Sequence, residues 1–415
     1  MLLTMLKTIP TNQVIVGMHI HALKGAWVDH PFWKTKFILD DIQDLKKLQA
    51  SIIKEVVIDT SKGLDVPEVH SAEVVNNDQA ESTVQIETVS AKEAVATKIE
   101  KNAIEVELLQ ASKIIKESKR AVASMFKDVR LGKVVDSTAV IPLVEEIAAS
   151  IKRNEGALIS LVRLKTQDDY TYMHSVAVCA MMTALAKELG LGDTEVRQAG
   201  LAGLMHDIGK AAIPLEVLNK PGALTEQEFN LVKLHPEKGH AFMLHAQIED
   251  DVSLDVCLHH HEKIDGSGYP KQLKGDQISI FAKMGAVCDV YDAVTSNRPY
   301  KDGWEPGVSL QRMAQWKNHF DETVFKAFVK SVGIYPIGSV VLLKSGRLAV
   351  VIDQSPKTLL QPIVKVFFST KSRARIQIEI VDLSKPSAMD EIVGHESAHT
   401  WGIDDVHELW TPVDA

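Results

Sequence analysis

Histidine and aspartate side chains cluster in one part of this chain. Eight of the sixteen histidines fall between positions 174 and 261, and the run His206-Asp207-Ile208-Gly209-Lys210 sets an aspartate directly beside one of them. Such an aspartate can reach a metal ion that the histidine also binds, and its two oxygens can bridge two ions. Imidazole and carboxylate ligands suit iron, manganese or zinc, whereas structural zinc and iron–sulfur sites favour thiolates. The pattern therefore predicts a non-structural metal centre.

The other candidate ligands strengthen this interpretation. A lone histidine–aspartate pair arises by chance and also at capped helix ends, so by itself it is weak evidence. Here further candidates recur at intervals of 25 to 32 residues, and each falls on a predicted helix. A helical bundle can project all of them inward, as the dimetal sites of carboxylate-bridged bundles do. The candidates are His174, His235, His260, His261 and Asp289.

Helical periodicity dominates residues 136–332 and predicts an all-helical domain around these candidates. Within it, Thr225 and Glu228 form a capping-box pattern, which predicts the start of the helix that carries His235. The fold class that follows is mainly α, with smaller domains on either side.

The N-terminal part of the chain has a different pattern. Residues 1–64 combine β-like runs at Gln13–Met18 and Glu55–Asp59 with a helical stretch at Leu39–Lys54, which predicts a small α/β domain. Residues 65–100 contain eight acidic residues, two lysines and no aromatic residue. So few apolar side chains cannot offset the entropy lost on ordering, and we predict a flexible acidic linker.

The segments that flank the helical domain complete the organisation. Apolar residues recur at helical spacing within residues 101–135 and predict a connecting helix. Residues 333–415 change to a strand-like period: Ser345-Gly346 separates two apolar runs as a hairpin turn, and residues 376–380 alternate isoleucine with polar side chains. This segment is predicted to form a small β-rich appendage.

Composition narrows the function classes. Of the 415 residues, 46 are basic and 55 acidic, so the formal net charge is −9, and binding along duplex DNA is not expected. The sequence has neither a signal-peptide pattern nor an apolar run of about 18 residues, which predicts a cytoplasmic protein without a membrane span. Cys179, Cys257 and Cys288 lie in apolar periodic segments and are predicted to be reduced core residues.

Several motifs in order resemble the HD-GYP subgroup of the HD-domain metal phosphohydrolases. The resemblance runs from Tyr170 to Tyr335, about two fifths of the chain. A further segment, with Gly17-Met18 and a run at 29–33, resembles a small domain that commonly precedes HD-GYP modules. The motifs are His206-Asp207 with Gly209-Lys210, His260-His261-Glu262-Lys263, Asp265-Gly266-Ser267-Gly268-Tyr269-Pro270, Asp289-Val290-Tyr291-Asp292-Ala293 and Asn297-Arg298-Pro299-Tyr300.

The resemblance implies hydrolysis of a bacterial cyclic dinucleotide, usually cyclic di-GMP, at a centre of two or three metal ions. Iron is the first choice of metal and manganese the next. Asp207 is implied as the bridging carboxylate, and the family pattern His-His-Glu leaves His259 as a neighbour of the ligand pair. The implied ligands are His174, His206, Asp207, His235, His260, His261 and Asp289.

One position departs from the family pattern. Members with a third metal have a glutamate where this chain has Tyr170, so we expect a dinuclear centre. Asp168 and Asp169 lie close by and could be recruited only by a distorted first helical turn. Acidic side chains near a helix N-terminus also interact favourably with the helix dipole, so Asp168 and Asp169 can have a purely structural role.

The resemblance and side-chain chemistry together suggest further roles. Lys210 can stabilise the charge that develops on the phosphate, and Asp292 can orient a ligand histidine. Arg298 and Lys301 are expected to bind phosphate or guanine edges. The Gly268-Tyr269-Pro270 loop can contact the substrate, and protein partners are expected at this loop or at the N-terminal domain. The sequence leaves open whether the protein forms a homodimer.

Several alternatives remain at this point. The substrate can be cyclic GMP-AMP, since the two dinucleotides differ only in the exocyclic groups of one base, and the product can be the linear dinucleotide or mononucleotides. A degenerate module could act as a sensor that binds without turnover. Other HD enzymes hydrolyse nucleoside phosphates, but they need neither the doubled histidine nor the Gly-Tyr-Pro loop.

Overall fold

The computed structural model describes residues 6–24, 37–51, 53–66, 90–163, 170–296, 303–355 and 358–411. The chain forms two compact units, Met1–Lys101 and Asn102–Ala415.

The first unit contains a four-stranded antiparallel sheet of order β1-β4-β2-β3, and its core includes Met18, Ile20, Leu48 and Ile58. The predicted strand Glu55–Asp59 is confirmed. The β-like run at 13–18 is not a strand: Gly17 adopts φ +97°, and the chain turns there. The elements are β1 Leu6–Pro10, β2 His19–Lys24, β3 Phe37–Ile38, α1 Ile42–Ala50 and β4 Glu55–Asp59.

A long helix, α2 Ser90–Arg130, comes next in the chain. It begins inside the segment whose composition predicts a linker, so the acidic stretch is helical from Ser90 onward.

The second unit is mainly helical, as predicted. Its central helix carries His174 and is buried on all sides from Val176 to Ala186, as expected of a helix with apolar residues around its whole circumference. The helices are α3 Ile141–Arg153, α4 Glu155–Val162, α5 Tyr170–Glu188, α6 Asp193–Met205, α7 Leu215–Leu218, α8 Glu226–Val232, α9 His235–His245, α10 Asp251–His259, α11 Ile280–Thr295, α12 Pro306–Ala314 and α13 Glu322–Val332.

The capping box is present but starts a different helix from the one predicted. Thr225 Oγ1 accepts from the Glu228 amide at 3.3 Å, and Glu228 Oε2 accepts from the Thr225 amide at 2.7 Å. The helix that it caps, α8, ends at Val232, and His235 is the first residue of α9. The short helix α8 and a two-residue turn therefore separate the cap from the histidine.

An antiparallel sheet of order β8-β7-β6-β5-β9 follows the helices. The predicted hairpin at Ser345-Gly346 joins β5 and β6, and Gly346 supplies the positive φ of +80° that the turn needs. The isoleucines of residues 376–380 lie on the edge strand β8. The strands are β5 Val340–Leu343, β6 Arg347–Asp353, β7 Ile363–Ser369, β8 Ala374–Asp382 and β9 Ile392–His395.

Two further sequence predictions concern single residues and membrane spans. Cys179, Cys257 and Cys288 are free and buried, as predicted. Across the described part of the chain, every helix is too short or too polar to cross a lipid bilayer.

Candidate metal centre

The seven predicted metal ligands lie together at the centre of the second unit. They come from elements that are far apart in sequence: His174 from α5, Asp289 from α11, and the others from the ends of α6, α9 and α10. Two groups of these residues have ligand atoms within 4.8 Å of one another: His174, His206 and Asp207 form one group, and His235, His260 and His261 form the other.

Asp207 lies between the two groups. Its Oδ2 atom is 3.3 Å from His206 Nε2 and 3.4 Å from His174 Nε2. Its Oδ1 atom is 3.1 Å from His235 Nε2 and 3.8 Å from His260 Nε2. Each carboxylate oxygen thus faces a different pair of histidines, which is the arrangement that a bridging ligand requires.

Asp289 makes a second link between the groups. Its Oδ1 atom is 3.0 Å from His174 Nε2, and its Oδ2 atom is 3.6 Å from His261 Nδ1. The Asp289 side chain is almost fully buried. Both carboxylates therefore direct their two oxygens toward different histidines.

The histidines are oriented by hydrogen bonds from their outer ring nitrogens. A carbonyl oxygen can only accept, so an Nδ1 that faces one carries a proton and leaves Nε2 directed at the centre. In His174 the acceptor is the Asp292 carboxylate, at 2.6 Å. The others are His206 to Gly203 O at 2.8 Å, His235 to Val232 O at 2.8 Å and His260 to Val256 O at 2.9 Å.

Electrostatics keep the two carboxylates ionised. Burial raises the pKa of Asp207, but Lys210 and the surrounding histidines outweigh it and hold the pKa well below its ordinary value. Burial likewise raises the pKa of Asp289, and the hydrogen bond from His174 together with the surrounding histidines more than reverses the shift. Two anionic carboxylates therefore lie in an enclosed space.

The pKa values of the histidines shift in opposite directions in the two groups. Burial lowers the pKa of His174, yet its contacts with Asp207, Asp289 and Asp292 raise it to about 10. Burial lowers the pKa of His261 to about 3, even though Asp289 opposes the shift. The pKa of His260 falls well below its ordinary value, because burial and the neighbouring histidines disfavour its charged form. The second histidine group is therefore rich in neutral rings.

The donor set fits divalent metal ions. His206 Nε2 and Asp207 Oδ1 are buried without a hydrogen bond from any of the described residues. His235 Nε2 also directs its lone pair at Asp207 Oδ1, 3.1 Å away, and two lone pairs repel at that distance unless a cation lies near them. Nitrogen and oxygen donors without a thiolate are ligands that such cations accept.

Gly209 and Lys210 complete the first motif. A side chain at Gly209 would place Cβ 1.9 Å from His235 O and 2.5 Å from Gly239 N, so only glycine lets the turn after Asp207 pack against α9. The Lys210 ammonium forms an ion pair with Asp207 Oδ2. The motif thus supplies the carboxylate that lies between the two histidine groups, its close approach to α9 and a counter-charge.

The Gly-Tyr-Pro loop lies against the second histidine group. The Tyr269 ring stacks on His261 with 4.7 Å between ring centroids. A Cβ at Gly268 would lie 2.5 Å from Glu262 Cα and Lys263 N, so the loop requires glycine at this position. The doubled histidine and the loop therefore form one structural unit.

Glu262 is a residue to which sequence reasoning gave no role. It is buried, and its carboxylate accepts from the backbone amides of Lys271 at 2.7 Å and Leu273 at 3.1 Å. It thereby holds the chain just after the Gly-Tyr-Pro residues. Its place as the third residue of the His-His-Glu motif was the available signal.

The remaining predicted residues are elsewhere or not described. His259 Nδ1 is 2.8 Å from Asp255 Oδ1, in a separate pair that includes none of the clustered ligands. The described residues do not include Arg298, Lys301, Asp168, Asp169, the Tyr170 side chain or the run at 29–33.

Comparison with known proteins agrees with the site. Residues 143–324 match the model of the HD domain, and residues 6–140 match a domain of unknown function, DUF3391. The cyclic di-GMP phosphodiesterase PA4108 of Pseudomonas aeruginosa is 51% identical over 98% of this chain and 96% of its own length.

Other relatives match a smaller part of the chain. The cyclic di-GMP phosphodiesterase response regulator RpfG of Xanthomonas campestris is 43% identical over 35% of this chain and 39% of its own length. The 3'3'-cGAMP-specific phosphodiesterase 2 of Vibrio cholerae is 37% identical over 36% of this chain and 29% of its own. A solved structure, the HDG"Y"P protein Bd1817 of Bdellovibrio bacteriovorus, aligns with a TM-score of 0.46 at 16% identity, covering 78% of this chain and 98% of that one.

The near-full-length match at 51% identity, the HD-domain match over residues 143–324 and the ordered motifs have one explanation. The chain belongs to the HD-GYP family of HD-domain metal phosphohydrolases.

Proposed function

We propose that this protein is a metal-dependent phosphodiesterase that hydrolyses a cyclic dinucleotide, with cyclic di-GMP as its preferred substrate. The observation that carries the proposal is Asp207, whose two oxygens each face a separate pair of histidines in a buried pocket. The near-full-length relative named a cyclic di-GMP phosphodiesterase supports the choice of substrate.

In this proposal the protein binds two divalent cations. His174, His206 and Asp289 would hold one ion, His235, His260 and His261 the other, and Asp207 would bridge them. The mixed nitrogen and oxygen donors support iron first and manganese next. Tyr170, at the position where a third metal would need a glutamate, supports a dinuclear centre.

Such a pair of cations supplies a nucleophile from water at neutral pH and neutralises the oxygens of a phosphodiester. The protein's own residues provide position and charge. Asp292 holds the His174 ring by accepting from Nδ1, so that Nε2 stays directed at Asp207 and Asp289. Lys210 is one-fifth exposed while Asp207 is fully buried, so its ammonium can offset charge that builds up on the phosphate.

The Gly-Tyr-Pro loop and the segment after α11 would bind the rest of the substrate. Tyr269 offers a ring face and a hydroxyl beside His261, and we assign Gly268 and Pro270 to the same substrate contact. We assign phosphate or guanine contacts to Arg298 and Lys301 because a guanidinium and an ammonium suit those groups. Binding of a protein partner at the same loop stays a prediction.

The test is parallel incubation of metal-loaded protein with cyclic di-GMP and cyclic GMP-AMP, with products followed by chromatography. We expect faster turnover of cyclic di-GMP, and little turnover in the His206→Ala and Asp207→Ala variants. Faster hydrolysis of cyclic GMP-AMP would reassign the substrate, and binding without turnover would favour a sensor. Equal turnover in wild type and both variants would remove the proposed site from consideration.

A further inference from the structure

Lys233, the residue that follows α8, holds its ammonium beside the metal centre. Its Nζ atom lies 4.7 Å from the ring centroid of Phe229 and 5.9 Å from that of Tyr269. The Tyr269 ring in turn stacks on His261, a member of the second histidine group. A positive charge thus lies close to the aromatic ring that stacks on a candidate metal ligand.

The backbone fixes this position. The Lys233 amide donates to Phe229 O at 3.0 Å, which ends α8. The carbonyl of the preceding residue, Val232, accepts from His235 Nδ1 at 2.8 Å and so orients a candidate metal ligand. Because one short segment holds both His235 and Lys233, the Lys233 backbone has a fixed relation to the centre, and the contacts with Phe229 and Tyr269 place the ammonium.

The charge of Lys233 is not compensated by a carboxylate. Among the described residues, no Asp or Glu oxygen lies within the 4.0 Å of Lys233 Nζ that defines an ion pair. Some other lysines of this region do have a carboxylate partner: Lys210 pairs with Asp207, Lys220 with Glu228 and Lys271 with Glu237. Ring faces attract an ammonium only weakly at a partly exposed site, so an anionic ligand would bind it more strongly.

We propose that Lys233 binds the second phosphate of the cyclic dinucleotide, the one that is not being cleaved, and that Phe229 and Tyr269 hold the ammonium in place. This inference rests on the proposed function. A cyclic dinucleotide carries two phosphodiester anions, and the metal centre with Lys210 can receive only one of them. In this proposal Lys233 supplies counter-charge for the other phosphate beside Tyr269, in addition to any contact that Arg298 or Lys301 makes with it.

The experiment compares two substrates that differ in the number of phosphates. Cyclic di-GMP has two, whereas bis(4-nitrophenyl) phosphate is a diester with one and needs only the metal centre. We expect Lys233→Met to raise KM for cyclic di-GMP about tenfold, with kcat changed less than about twofold, because a charged contact of this kind contributes about 1.5 kcal/mol or more. Hydrolysis of bis(4-nitrophenyl) phosphate should stay at the wild-type rate.

Two further variants serve as controls. Lys233→Arg keeps the charge and should restore most of the affinity for cyclic di-GMP. Lys238→Met removes an exposed lysine from the neighbouring helix α9 and should leave both substrates unaffected. A purely structural role for Lys233 would lower both activities together.

The outcomes separate this inference from the proposed function. Unchanged kinetics in Lys233→Met, or an equal loss on both substrates, would overturn the role of Lys233 and leave the hydrolase assignment intact. Wild-type protein that cleaves neither substrate, or only the small diester, would instead overturn the proposed function and this inference with it.

Discussion

The helical unit and the C-terminal sheet bury different kinds of side chain. Around the metal centre, His174, His206 and Asp207 are almost completely inaccessible, although burial of polar groups is unfavourable. In the sheet, residues 348–351 of β6 are all buried and all apolar, while the partly exposed Arg347 forms ion pairs with Glu379 and Asp390. The contrast teaches that the bundle gives up stability in favour of ligand geometry and that the sheet does not.

The largest effect is expected from Asp207→Asn. An amide cannot supply two anionic oxygens, so metal content should fall and hydrolysis of cyclic di-GMP should drop about a thousandfold, equivalent to several kcal/mol of transition-state stabilisation. Elemental analysis and product chromatography measure the two quantities. Asp390→Asn makes the same change at a residue that pairs with Arg347 of β6, and it should keep metal content and turnover. If Asp207→Asn keeps its metal and its turnover, the buried carboxylate is not required as a ligand and the contrast between bundle and sheet fails.

A smaller effect is expected from Asp292→Asn. Its carboxylate holds His174 Nδ1 at 2.6 Å, and loss of such a partner costs about 10- to 100-fold in metal affinity or activity. The matched control is Asp255→Asn, because Asp255 makes an equivalent contact to His259 at 2.8 Å outside the centre. Metal titration of both variants is the measurement. Equal effects on metal affinity in the two variants would show that the contact between Asp292 and His174 has no particular role in metal binding.

Glu155, at the start of α4, allows the effect of burying a carboxylate on stability to be measured away from the metal centre. It lines a cavity of about 350 Å³ with Lys330 of α13 and Asp353 of β6, and burial raises its pKa from 4.5 to about 7. Between these values the folded protein binds a proton that the unfolded chain releases, so stability falls as pH rises.

Glu155→Gln should therefore leave stability at pH 4 nearly unchanged and raise it at pH 8 by up to about 3 kcal/mol. Urea unfolding at both pH values measures the difference, and Glu146→Gln, at an exposed position of α3, is the control. A Glu155→Gln variant that is less stable than wild type at pH 8 would show that the ionised carboxylate is favourable.

The smallest effect on catalysis is expected from Val350→Ala in β6. Removing two buried methyl groups should lower the free energy of unfolding by about 2 kcal/mol through lost burial and a small cavity. Hydrolysis by the folded protein should be unchanged. Denaturant unfolding and steady-state kinetics are the measurements. A loss of activity without a loss of stability would link the sheet to the centre.

Local sequence patterns predicted a large part of the fold. The hairpin at Ser345-Gly346 and the strand Glu55–Asp59 were predicted because turn residues and alternating side chains act over a few positions. The predicted start of the helix that carries His235 was wrong, because the capping box belongs to the shorter helix α8. The start of α2 at Ser90 was also missed, since the composition of residues 65–100 indicated a linker.

Residue types and motif order determined the donor set: imidazoles and carboxylates without thiolates, at spacings that place them on separate helices. Only the tertiary structure decided which oxygen of Asp207 faces which histidines, which ligand histidine Asp292 orients, and that Glu262 holds the loop beside Tyr269. These relations join residues on different helices and loops. Side-chain direction there depends on how whole elements pack, which no local pattern encodes.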